Sequence, residues 1–311
     1  MIDMLLSHTP VLVSEVLEAF GKTEFAHLKR SKKIIDATVG LGGHSVALVK
    51  SGYEVLGIDS DRLMLEEASD RLRKACPAFL FPNEKERPYK LVYGNFRDID
   101  RLAKENGFDA VFGILFDLGV SSPQLTSSDR GFSLQYPVAD LDMRLDRESQ
   151  SLTGSDLLNF LRQDQLTELF QKVVSKSIAK KLSLEIVKQR EIRKINQVGD
   201  FLNLIKKVIK HSKGLDPATL PFLALRMAVN SEIENLETTL PKAFEILDKK
   251  GKLVIISFHS GEDKVVKKFF RQMSDEGLGE IYVRKPIKPS YEEVAKNPRA
   301  RSAKMRILEK L

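Results

Sequence analysis

Between positions 34 and 45 the chain reads Ile34-Ile35-Asp36-Ala37-Thr38-Val39-Gly40-Leu41-Gly42-Gly43-His44-Ser45, a β-branched run that ends in closely spaced glycines. Such a run is a strand feeding a tight turn, where the missing side chains let backbone N–H groups approach a ligand. A second apolar run, Glu54-Val55-Leu56-Gly57-Ile58, ends at Asp59, where an acidic side chain can accept the hydroxyls of a ribose. Together the two predict a doubly wound α/β sheet that binds a nucleoside.

Four strand-like runs follow in order, at 34–39, 54–59, 90–94 and 110–117, with helical patterns in two of the intervals. Ser60-Asp61 reads as a helix cap, after which Met64, Ala68 and Leu72 share one face until Cys76-Pro77 stops the helix. A second helix spans 96–106, with Ile99, Leu102 and Ala103 as its apolar face and Gly107 at the C′ position. Pro77 to Pro88 reads as a charged loop. After Pro123 the alternation stops, and helical patterns at 155–161, 165–188 and 198–210 take over. It resumes at Pro217 with a long helical region, a strand at 252–259, and an edge pair at 281–284 and 304–308. The expected division is a sheet domain of residues 1–126 and 217–311, and an inserted all-helical domain of residues 127–216.

Of the 311 residues, 42% are hydrophobic, enough for a substantial core, and the single cysteine, Cys76, rules out an intrachain disulfide. Positions 1–8 carry no basic leader, and no apolar run approaches the ~18 residues that span a bilayer, so a cytoplasmic protein without membrane contact is expected. The net charge of +7 is concentrated. Residues 172–213 hold twelve Lys/Arg against three acids and residues 281–310 hold nine against three, which leaves the remainder acidic. A polyanionic partner and a set of solvated lysine-rich faces both fit that pattern.

A dinucleotide site wants G-x-G-x-x-G, but here Gly40, Gly42 and Gly43 are followed by His44, so the third glycine falls too early for a pyrophosphate. A ligand with an adenine, a ribose and an amino-acid tail fits better. In S-adenosylmethionine the tail ammonium suits Asp36 and the ribose suits Asp59. The fourth strand ends at Asp117, and its loop supplies Ser121, Ser122, Pro123 and Gln124. Reacting groups lie at the carboxyl ends of strands in open α/β sheets. A polar residue and a proline there resemble the loop by which amino-methyltransferases hold an exocyclic NH2, with Asp117 the first candidate acceptor. No cysteine stands in the loop, which argues against covalent carbon-5 chemistry. The histidines and the cysteine show no metal-ligand spacing, so no metal is expected.

Motifs along the whole chain resemble one family, the bacterial 16S ribosomal RNA cytosine-N4 methyltransferases. They are His8-Thr9-Pro10-Val11-Leu12, Asp36 to Ser45, Asp117 to Leu125, Arg130-Gly131-Phe132-Ser133 and Leu141-Asp142-Met143-Arg144. They continue with Val229-Asn230-Ser231-Glu232, Ile256-Ser257-Phe258-His259-Ser260, Glu262-Asp263 and Asn297 to Ser302. The resemblance implies a Rossmann-like class I methyltransferase sheet with a helical insertion. It also implies methyl transfer from S-adenosylmethionine to N4 of a cytosine in the decoding region of 16S rRNA, within the small subunit. Its cofactor contacts fall on Gly42, Gly43, His44, Asp59, Phe96, Asp117 and Gln124. Substrate candidates are Asn230, Ser257 and His259, with Arg299 and Arg301 as phosphate contacts. Leu220 and Leu223 stand where the family usually carries arginine and glutamine. Three alternatives remain open: an amino-methyltransferase of another RNA or of DNA, a non-catalytic ribosome-assembly factor, and a dehydrogenase. No oligomeric state follows from the sequence.

Overall fold

The structure is a computed structural model and describes residues 10–21, 33–76, 87–210 and 216–311. His8-Thr9, the amino-terminal segment and most of the Pro77 to Pro88 loop lie outside the described residues. Two units divide the chain, Met1–Gly119 with Ile233–Leu311, and Val120–Glu232.

In the first unit, helix α1 (Val13–Gly21) precedes the alternation β1 (Lys33–Asp36), α2 (Gly43–Lys50), β2 (Glu54–Asp59), α3 (Arg62–Ala75), β3 (Tyr89–Tyr93), α4 (Ile99–Glu105) and β4 (Val111–Asp117). In the second unit come α5 (Ser122–Thr126), α6 (Gly154–Phe160), α7 (Gln163–Gln171), α8 (Lys176–Ile192), α9 (Val198–Val208) and α10 (Thr219–Val229). Helix α11 (Glu232–Glu245) returns the chain to the first unit, followed by β5 (Leu247–Ser257), α12 (Ser260–Asp275), β6 (Gly279–Ile281), α13 (Tyr291–Lys296) and β7 (Lys304–Lys310).

The sheet order is β3-β2-β1-β4-β5-β7-β6, parallel except at β7, which runs antiparallel to both of its neighbours. Successive side chains of a strand point to opposite faces, so a strand covered on both sides must be apolar throughout. Ile34, Val55, Leu115 and Val254 accordingly join the cluster built on α1, α2 and α3, while Ile35, Leu56, Ile114 and Ile255 join the one built on α4, α11 and α12. Asp61 caps α3 by accepting from the Leu63 N–H at 3.1 Å.

Several boundaries differ from the sequence expectation. Strand β1 ends at Asp36, although the Ala37 and Val39 N–H groups still donate to the Leu115 and Ile58 carbonyls beyond it, and β5 stops at Ser257 because His259 caps α12. The helix expected over 165–188 is two, since Ser175 starts α8 afresh by accepting from the Ile178 N–H. The expected return to the sheet domain at residue 217 is corrected to residue 233. Helix α10 buries Phe222 and Leu225 among Leu158, Phe170 and Phe201, so it belongs to the helical unit. At its end Asn230 closes the helix and Ser231 adopts φ 48°, which redirects the chain. The insertion likewise begins at residue 120 rather than 127.

Within the helical unit the core runs through Leu166, Phe170, Leu182, Ile186, Phe201 and Ile205. Asn230 holds that unit together: its Oδ1 accepts from the Leu145 N–H, and its Nδ2 donates to the Met143 and Arg226 carbonyls. Among the described residues, no helix is long and apolar enough to cross a membrane.

Candidate active site

Strand order reverses between β1 and β4, and the loops after their carboxyl ends open the crevice where ligands of such sheets bind. Three carboxyl groups close the strands there, Asp36 on β1, Asp59 on β2 and Asp117 on β4.

The first loop is shaped by its glycines for different reasons. Gly40 has φ 49°, and a Cβ there would meet only its own loop's Thr38 carbonyl at 3.9 Å, so its surface stays open. Gly42 has φ 76° and would set a Cβ 3.1 Å from Ala68, whereas a Cβ on Gly43 would lie 2.8 Å from Pro10. Close approach to neighbouring chain therefore accounts for the last two.

Asp36 is buried, accepts from the Ser45 hydroxyl at 2.6 Å, and burial pushes its carboxyl up. Asp59 accepts from the Gly40 N–H at 2.8 Å and from the Asp61 N–H at 2.9 Å, one on each oxygen. A carboxylate has about four lone-pair sites, so acceptor capacity remains for a pair of ribose hydroxyls. Burial pushes Asp59 up to about 7, against the pull of those two amides.

Asp117 donates its own N–H to the Thr38 hydroxyl at 2.7 Å, which ties the β1 and β4 loops together. Its Oδ1 is closed to solvent and has no hydrogen-bond partner; Oδ2 lies 3.4 Å from His44 Nδ1. Burial pushes this carboxyl up to about 6, opposed by His44 and reinforced by the charges of Asp36 and Glu262. The other nitrogen of His44 lies 2.9 Å from the Val11 carbonyl oxygen, and the ring is buried. Phe96, on a short turn after β3, stands edge-on to Phe116 with centroids 5.7 Å apart.

At the end of β5, Ser257 is buried and donates to the Lys304 carbonyl at 3.4 Å. His259 caps α12: its Nδ1 accepts from the Gly261 and Glu262 N–H groups, while Nε2 sits 3.2 Å from Glu262 Oε1. The Glu262 carboxylate in turn accepts from the Phe258 N–H at 2.9 Å. Arg299 and Arg301 are exposed on a turn before β7.

One unit thus brings together Asp36, Gly40, Gly42, Gly43, His44, Asp59 and Asp117, flanked by Phe96, and also carries Ser257, His259, Arg299 and Arg301. Ser121, Ser122, Pro123, Gln124 and Asn230 belong to the other unit. There Gln124 is buried and accepts the Ser121 N–H at 2.8 Å, and Pro123 occupies the second position of α5, so this stretch is a self-braced helix start. Thr38 and Glu262 had drawn no role from the sequence. The signal for Thr38 was its spacing of two from Asp36, which puts both side chains on one side of the strand's continuation.

The sheet order with its single antiparallel strand, the glycine turn and the acid closing β2 define a Rossmann-like enzyme of the class I methyltransferase type. The sequence profile of the MraW methylase family matches residues 5–311. The chain is 38% identical over 317 residues to the ribosomal RNA small subunit methyltransferase H of Methylacidiphilum infernorum, covering 98% of this chain and 95% of that protein. It is 40% identical over 309 residues to the protein of the same name from Chlamydia caviae, covering 97% of each. A solved putative rRNA-methylase from Clostridium thermocellum aligns with 98% of this chain and all of its own length, at TM-score 0.45 and 12% identity. The chain belongs to the MraW methylase family, and it is a methyltransferase.

Proposed function

We propose that the protein transfers a methyl group from S-adenosylmethionine to the exocyclic N4 of a cytosine in the decoding region of 16S rRNA, presented within the small ribosomal subunit in the cytoplasm. Full-length likeness to ribosomal RNA small subunit methyltransferases supports the substrate. The observation that carries the chemistry is Asp117, a strand-end carboxyl whose Oδ1 is buried without a partner.

The described residues fit the cofactor. Asp59 would take the ribose hydroxyls, the open surface of Gly40 would let backbone approach, and Phe96 would lie against the adenine, while Asp36, buried against Ser45, braces the loop. When bound, S-adenosylmethionine supplies an electrophilic methyl carbon whose bonding pair to sulfur leaves with the sulfur. The amine is the difficult partner, because its lone pair is delocalised into the cytosine ring. The Asp117 carboxylate accepts a hydrogen bond from N4–H, which localises that pair and aligns it, and alignment is worth up to ~7–11 kcal/mol in well-oriented systems. As the N–C bond forms, Asp117 takes the N4 proton. Ser121, Ser122 and Pro123 act by shaping the helix start that follows. Ser257 and His259, bonded to the Lys304 carbonyl and to the first turn of α12, support the end of β5, and Arg299 and Arg301 hold the substrate phosphates. The helical unit serves RNA recognition.

Incubation with isotopically labelled S-adenosylmethionine and unmodified small subunits, followed by nucleoside digestion and mass spectrometry, tests this reading. Label in N4-methylcytidine is expected. Label in another nucleoside, or none despite demonstrated cofactor binding, would overturn it.

A further inference from the structure

The ring of His44 is engaged at both nitrogens. Nε2 faces the Val11 carbonyl oxygen at 2.9 Å and Nδ1 faces Asp117 Oδ2 at 3.4 Å. A carbonyl oxygen only accepts, so Nε2 must carry hydrogen. A bare Nδ1 would then set its lone pair against a carboxylate oxygen in a buried place. That contact becomes attractive only with a proton between the two atoms, as imidazolium against carboxylate or imidazole against carboxylic acid. Both forms hold the same single proton and differ only in which atom carries it.

The surroundings favour keeping it there. Two further carboxyls, Asp36 and Glu262, act on Asp117 with negative charge, and Asp36 also feels His44. Oδ1 has no donor of its own, so a carboxylate with no proton near it would be costly. The Thr38 hydroxyl fixes the Asp117 backbone, and Val11 fixes the ring, so the pair is held from both ends.

We infer that His44 and Asp117 form a one-proton dyad, with His44 a positioning residue that sets the protonation state in which Asp117 receives the N4 proton. This rests on the proposed reading of Asp117 as acceptor. Hydrogen is held on the Oδ2 side, so the carboxyl group keeps lone pairs with which to accept from the amine. When the N–C bond forms, the N4–H pair returns to nitrogen and the proton passes to the Asp117 carboxyl group. The dyad then holds two protons and one positive charge, matching the charge lost when the cofactor gives up its methyl, until solvent takes one proton. Without His44, Asp117 would bind its proton at higher pH and be a neutral acid over more of the neutral range.

Nitrogen-15 NMR of the histidine-labelled protein without ligand gives a direct readout, with His44 assigned by its absence in His44→Gln. The expected result is a protonated Nε2 and an Nδ1 shifted away from the bare-nitrogen position, with Nδ1 alone moving to that position in Asp117→Ala. A bare Nε2, or an Nδ1 indifferent to Asp117→Ala, would sink the dyad. In kinetics, the acidic limb of the rate profile for His44→Gln is expected to move up by about one pH unit, with the rate at neutral pH falling up to about tenfold and recovering in alkali. An unmoved limb would overturn the positioning role. Failure of the acceptor reading looks different: Asp117→Asn would then keep its turnover, whatever the His44 spectrum shows.

Discussion

Asp59 and Asp117 close neighbouring parts of one sheet, yet their environments ask different things of them. Asp59 is held by two backbone amides and is built to accept, so Asp59→Ala is expected to weaken cofactor binding, measured by calorimetric titration, by about 10-fold or more. Asp117→Ala is expected to lower turnover far more than RNA affinity, and equal loss of both would refute its acceptor role. A pH effect follows from the same burial. Both carboxyls titrate in the folded protein above the ordinary carboxylate range, Asp59 at about 7 and Asp117 at about 6. The folded state therefore keeps protons that the unfolded chain has already released. Their contribution is fully present below about pH 4 and is lost as the pH rises towards 7, by an amount on the order of 2–4 kcal/mol for Asp59. Denaturant unfolding of the ligand-free protein at pH 5 and pH 8 measures it, and Asp59→Asn should flatten the difference.

At the scale of elements, the turn between β1 and α2 separates conformational cost from close packing. Gly107, after α4, has φ 76° and open space around its missing side chain, so Gly107→Ala should cost only about 1–2 kcal/mol. Gly42 has the same φ and also approaches Ala68, so Gly42→Ala should cost more, about 2–4 kcal/mol, and should weaken the cofactor as well. Equal losses in thermal unfolding would mean that the α2–α3 approach carries no weight. The break between α7 and α8 belongs to this scale too. Apolar spacing runs through 165–188 with little pause, and the cap at Ser175 decides that two helices form.

For the whole molecule, the charge asymmetry of the sequence becomes a distribution over two units. The helical unit carries the basic stretch that starts at residue 172, and the sheet unit carries the one that starts at residue 281. Arg299 and Arg301 are exposed, so Arg299→Glu with Arg301→Glu should lower rRNA affinity and reduce the salt slope, leaving cofactor affinity unchanged. Filter binding across a salt series checks this, and an unchanged slope would remove both residues from the RNA contact.

Much was legible in the chain itself, because it rests on short-range rules. Strand β2 and its terminal Asp59, the Asp61 cap, the left-handed Gly107 and the glycine turn follow from side-chain period, cap chemistry and backbone freedom, each decided within a few residues. Tertiary structure alone decided the rest. Helix α10 joined the helical unit because Phe222 and Leu225 fit among Leu158, Phe170 and Phe201, a choice between two apolar cores that periodicity does not make. His44 met Asp117 across 73 positions, and Thr38 met the Asp117 backbone across 79, because the parallel register of β1 against β4 brings their ends side by side. Register is set by the burial of both sheet faces together, so no single segment could announce which side chain would share a proton with which.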